Sequence, residues 1–113
     1  MTPLLPCAVL RLQANGAIIA ADDELARMLG AAALPAAGRP FGELLTAGSR
    51  VLWESQVLPA LATRGRVDEV YLRLRGAAGE VPVLVNSRLD RGGSVPEIYA
   101  VLLRMQRREQ WEV

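Results

Sequence analysis

The carboxylates, hydroxyls and single thiol of this chain are where any chemistry would have to start, and their spacing gives none of them a working partner. Asp22 and Asp23 are adjacent, so they cannot present two carboxylates to one substrate; Asp22 reads instead as a cap on free helix amides. Glu54 and Glu69 read as solvated or paired with nearby Arg, which is worth little energetically. Ser49 and Ser55 have no base to activate a hydroxyl. The 113 residues contain no His. That absence removes imidazole acid–base catalysis, Ser-His or Cys-His nucleophile activation, and His-ligated zinc or haem. Cys7 is the one cysteine, so no internal disulfide or thiolate cluster can form, and a reducing cytoplasm is the expected home. Met28 and Met105 could ligate iron through sulfur, but core filling is the commoner use of a thioether. No metal site and no catalytic cluster emerges, and an enzyme is not expected.

The polar residue most in need of an explanation is Asn86, inside the apolar run Val81 to Leu89, on a face with Pro82, Leu84 and Arg88. A bond to neighbouring backbone, or plain exposure, is the simpler reading; contact with a ligand is the other. Trp53 and Tyr99 pose the same choice between core or interface packing and lining a pocket.

The elements that must position these residues follow from periodicity. Ala8 to Gln13 alternates, with Leu10 and Leu12 on one face and Val9, Arg11 and Gln13 on the other, which is a strand period. Asn15-Gly16 then signals a hairpin returning through Ala17–Ala21. A helix opens at Asp22, carries Leu25, Met28 and Leu29 as its stripe, and stops at Gly30. After an Ala-, Gly- and Pro-rich stretch, Phe41 to Leu45 predicts a single helical turn. The longest helix is expected from a Ser49 cap to about Arg64, bent or broken by Pro59. Strands follow at roughly 67–75, 80–89 and 95–105, and 107–113 begins an exit helix. One domain accounts for the whole chain, with its core at about 5–106.

Composition bounds the partners. Hydrophobic residues are 51% and charged ones 22%, with a net charge of +1, which suits a folded domain and gives no bulk attraction for nucleic acid. All 13 basic residues are Arg, and with abundant Ala and Gly this reads as coding bias more than as selected guanidinium contacts. No run approaches the ~20 apolar residues of a membrane span. The apolar start carries no positive leader region, so neither membrane insertion nor a signal peptide is expected.

The last strands are apolar on both faces. Ala100 and Leu102 share one side, Tyr99, Val101 and Leu103 the other, and Val81, Val83 and Val85 oppose Leu84. A sheet open to water on one side would alternate apolar with polar. Helices can cover one face only, so the outer face predicts a homodimer through Tyr99, Val101 and Leu103.

The ordered set of signals resembles PAS domains over about residues 5 to 112. The residues that carry the likeness are Asn15-Gly16 in the first hairpin, the Asp22 to Gly30 helix, Gly38-Arg-Pro-Phe41, Gly65-Arg-Val-Asp-Glu-Val-Tyr-Leu72, Gly79-Glu-Val-Pro-Val83 and Pro82-Val-Leu-Val-Asn86. The nearest likeness is to PAS domains placed before bacterial histidine kinases or phosphatases. The chain departs from the family at Asp22, commonly Asn, and at Arg104-Met105-Gln106, commonly Asp-Ile-Thr, so it lacks the acid of the usual latch to the exit helix. The resemblance implies an α+β fold: a five-stranded antiparallel sheet, order 2-1-5-4-3, with helices on one face. It also implies a non-catalytic sensory and dimerisation module of a bacterial two-component or related signalling protein. Its output would pass through Arg104, Met105, Gln106, Arg107, Arg108 and Trp111 to an effector, such as a histidine kinase, outside this chain. The candidate pocket lining is Met28, Leu52, Trp53, Leu58, Asn86 and Leu102. With no His and with Cys7 far from any helix, no haem or covalent flavin is expected; an unidentified apolar ligand is the remaining candidate. The alternatives are a stand-alone apolar-ligand domain and a pure interaction module with no ligand.

Overall fold

A computed structural model describes residues 7–31 and 37–105 of the chain. Strand β1 (Cys7–Gln13) alternates as its sequence dictates, burying Ala8, Leu10 and Leu12. At the Asn15-Gly16 turn the Gly16 N–H donates to Gln13 O (2.8 Å) and the Ala17 N–H to Asn15 Oδ1 (3.0 Å). Gly16 has φ +92°, and a Cβ there would stand 3.3 Å from Leu58 Cδ1, so both the turn and the helix lying over it call for glycine. Strand β2 (Ile18–Ala21) begins one residue later than expected, because Ala17 forms an isolated bridge with Pro40.

Helix α1 (Asp23–Leu29) buries Leu25, Met28 and Leu29 and ends on Gly30 in the left-handed region, as expected. Asp22 occupies the cap position, yet its side chain makes no capping bond; Oδ1 is buried without a hydrogen-bond partner instead. The capping role assigned to its carboxylate is therefore corrected. A single 3₁₀ turn spans Phe41–Leu44.

The expected long helix is three pieces in line: α2 (Ala47–Leu52), a π-helical turn at Trp53–Val57, and α3 (Leu58–Arg64). In the wide turn Leu58 N–H donates to the carbonyl of Trp53, five residues back. Pro59 supplies the physical reason. Its ring clashes with the carbonyl four residues back in a regular helix and it has no N–H to offer, and a widened turn moves that carbonyl aside. The helix also starts two residues before Ser49, after Thr46. Ser49 is no cap: its Oγ accepts the Arg73 N–H at 2.9 Å.

Strands β3 (Arg66–Gly76), β4 (Gly79–Asp90) and β5 (Glu97–Arg104) complete a sheet of order β2-β1-β5-β4-β3, antiparallel at every pair. Strand β5 begins at Glu97 and not 95, since Pro96 has no donor for the ladder. The helices pack on one face, around Trp53 and Phe41, whose rings meet edge to face at 4.9 Å and 74°. Such a pair is worth about 0.5–1.5 kcal/mol beyond its burial. Each sheet edge is met by other backbone at one point. Along β2, Ile18 N–H donates to Arg39 O and Gly38 N–H to Ile18 O; along β3, Thr46 N–H donates to Arg73 O while Ser49 takes the Arg73 amide.

Candidate functional site

Two surfaces of the sheet could do the work of a binding domain. On the inner face, Met28, Trp53 and Leu102 are buried, and Leu52 and Leu58 pack partly buried against the same apolar cluster. Phe41, fully buried against Trp53, belongs with them and was missed by sequence reasoning. Its signal was an isolated aromatic directly after Gly38-Arg-Pro40.

Asn86 does not join them. It is exposed on the outer face, and its Oδ1 accepts the Glu69 N–H at 2.7 Å. The pocket assignment for Asn86 is corrected: its amide satisfies a bulge. Between Val67 and Val70 strand β3 carries more residues than β4 opposite, and Glu69 sits at φ +57°. Three consecutive β4 residues stitch this bulge. Asn86 holds Glu69, the Ser87 Oγ donates to Val67 O (3.4 Å), and Arg88 Nη1 donates to Asp68 Oδ1 (2.6 Å). Arg66 Nη2 binds the other Asp68 oxygen at 2.6 Å. The hydrogen bonds from Arg66 first, then Arg88, hold the Asp68 carboxyl below its ordinary value of 3.8.

The outer face is apolar from strand to strand. Val9 faces Val101, Leu103 lies between Cys7 and Leu84, and Leu84 faces Tyr71, so the strip crosses β1, β5, β4 and β3 without a break. Val101 is 39% and Leu103 45% exposed, with Tyr99, Tyr71 and Val9 similar. Sequence reasoning placed Tyr99, Val101 and Leu103 there; Tyr71 was not foreseen. Ion pairs flank the strip, Arg11 with Glu97 at 3.4 Å and Arg73 with Glu80 at 3.2 Å, and the Arg73 guanidinium lies 5.7 Å from the Tyr71 ring centre.

The chain leaves the sheet beside β4, where Met105 N–H donates to Pro82 O at 2.9 Å and Arg104 is exposed. Gln106, Arg107, Arg108 and Trp111, and the expected exit helix at 107–113, lie outside the described residues. Cys7 stands at the start of β1 opposite Leu103, on the outer side of the sheet. Among the described residues no three His, Cys, Asp or Glu side chains gather as metal ligands, and no helix is long and apolar enough to cross a membrane.

Among solved structures, the PAS domain of a protein from Colwellia psychrerythraea matches this architecture with a TM-score of 0.75 at 16% identity, over 89% of this chain and 87% of that one. This chain has the PAS fold. A second PAS domain, from the RpfR quorum-sensing receptor of Cronobacter turicensis in complex with C12:0, matches at TM-score 0.74 and 10% identity, covering 94% of this chain and 100% of that one. No family model matches the sequence. The phosphoserine phosphatase RsbP of Bacillus subtilis (strain 168) is 32% identical over 110 residues, which is 95% of this chain and 27% of RsbP. The PAS fold here thus spans about a quarter of that relative's length. Within it the inner cluster and the outer strip are opposite sides of the same strands, so a side chain repacked on one side displaces backbone felt on the other.

Proposed function

We propose that this PAS-fold chain is a non-catalytic sensory and dimerisation module of a bacterial signalling protein, set in a reducing cytoplasm. It passes a ligand- or partner-dependent change through Arg104 and the residues after it to an effector outside the chain. The observation that carries this reading is the unbroken apolar strip through Val9, Tyr71, Leu84, Val101 and Leu103, whose central strand β5 is also the strand from which the chain leaves. Pairing two copies through that strip couples their relative placement to the direction of both exits. The likeness to a phosphoserine phosphatase supports a phosphatase as the effector at least as well as a histidine kinase. Light scattering of the 113-residue chain tests the pairing. A dimer at micromolar concentration that becomes a monomer in Leu103→Glu is expected; a wild-type monomer at every concentration would end the dimerisation reading.

A second reading has its own support. Met28, Trp53 and Leu102 belong to one buried apolar cluster between helices and sheet, and the RpfR domain of the same fold was solved with C12:0. A small apolar ligand is therefore the signal we assign, with no haem or covalent flavin. Native mass spectrometry after incubation with dodecanoic acid checks it, with retained ligand as the expected result and bare protein as the refutation.

A further inference from the structure

The π-helical turn at Trp53–Val57 sits midway along a helical segment tied to the rest of the fold at both ends. At the front, Thr46 N–H and Ser49 Oγ grip the backbone of Arg73 at 2.9 Å each. At the back, Gly65 O accepts the Leu89 N–H at 2.8 Å, and Arg91 donates to the carbonyl of Ala62. Between these anchors the described residues make no hydrogen bond to another element, and the grip is apolar: Trp53 and Val57 are buried, and Leu58 reaches over Gly16. The backbone is weakest at the same place. The amide of Leu58 bonds five residues back, and Pro59 contributes no donor. Ser55 turns its hydroxyl back onto Val51 O at 2.6 Å, a bond of the kind that bends helices.

The geometry points to a strap: residues 53–58 bow away from Gly16 and Phe41 about the two anchored ends, opening the apolar cluster to a ligand. This rests on the apolar-ligand reading above and names its entry route. The widened turn supplies slack, because it holds one residue more than a regular helix needs between the same two anchors. Deleting Ser55, which is exposed, together with Pro59→Ala removes that slack and the ring that opposes a regular turn, and lets both halves join as one regular helix with their buried faces unchanged.

Hydrogen exchange measured residue by residue on the whole chain tests the strap without any ligand. The amides of residues 54–58 are expected to exchange at least tenfold faster than those of residues 60–64 in the wild type, and to slow at least tenfold in the Pro59→Ala chain that lacks Ser55. Pro59→Ala, which restores a donor with no change in length, should slow them several-fold. Equal protection across 54–64 in the wild type overturns the strap, as does unchanged exchange in a folded Pro59→Ala chain that lacks Ser55. Dodecanoic acid uptake by stopped flow is the second arm, expected to slow at least tenfold in that same double variant; uptake at the wild-type rate also overturns it. Fast exchange at 54–58 together with no dodecanoic acid binding leaves the strap standing and removes the ligand reading instead.

Discussion

Glu69 holds a backbone conformation that an L-residue adopts at a cost of about 1–2 kcal/mol, and Asn86 opposite is what keeps it there. Glycine at 69 removes that strain while adding disorder to the unfolded chain, so Glu69→Gly should raise stability by less than about 1 kcal/mol. Asn86→Ala leaves the Glu69 amide without its acceptor and should lower it by about 1–2 kcal/mol. Urea titration of both variants reads the two signs. Asp68 gives the bulge a pH dependence. Its pKa is depressed in the fold by Arg66 and Arg88. Its contribution is therefore complete above the unfolded value, near 4, and is lost as pH falls through the lower folded value. Asp68→Asn should flatten the fall in thermal midpoint below about pH 4, and an identical acid profile in wild type and variant would sink the assignment. Part of this was legible. The need of Asn86 for a partner follows from its place in an apolar strand, and the bulge is written in the spacing of Val67, Val70, Leu72 and Leu74, three apart and then two. The strand period assumed for 67–75 hid that extra residue; Asn86 does share its face with Pro82, Leu84 and Arg88 and does bond to neighbouring backbone, and its place in the pocket lining is what needed correction.

At the scale of elements, the helix from Ala47 to Arg64 was legible in its extent and its Gly65 stop, but not in its start, its middle or its buried face: Val51, expected on the apolar stripe, is 64% exposed, while Trp53 and Val57 are buried. Ser49 is a good capping residue by type, and local propensity cannot reveal that a strand 24 residues away claims its hydroxyl. Ser49→Ala should therefore leave helix content unchanged. It should cost about 1 kcal/mol and raise hydrogen exchange at the Arg73 amide alone among the central β3 amides. Loss of helical circular dichroism in that variant would return Ser49 to the role of a cap. Pro59 announced an irregularity, though only the packed Trp53 and Val57 decide that it takes the form of a wide turn and not a kink. The five strands and their order were within reach, because alternation and the Asn15-Gly16 turn are local signals and the rest follows from the resemblance.

For the whole molecule, the outer strip sets how stability responds to concentration. If two copies share it, the thermal midpoint rises with protein concentration, and Leu103→Glu should abolish that rise while the midpoint at high dilution stays within about 1 °C, since the side chain is 45% exposed in the single copy. A concentration-independent midpoint in the wild type would count against pairing. The sequence displayed this face through the absence of polar alternation in 97–104, while Tyr71 escaped notice because its neighbours Arg73 and Arg75 made β3 look solvated. The two rims of the sheet bear on the same matter from another direction. With Ile18 committed to Gly38 and Arg39, and Arg73 to Thr46 and Ser49, no stranger can lengthen the sheet at these points by adding a strand. Growth without end, as in a fibre, is closed off at these points, which favours the broad side for the proposed self-association. A flat side that meets its own copy is used up in the meeting. If two copies do meet there, as proposed, the assembly counts to two and stops, a stoichiometry set by which hydrogen bonds are already spoken for.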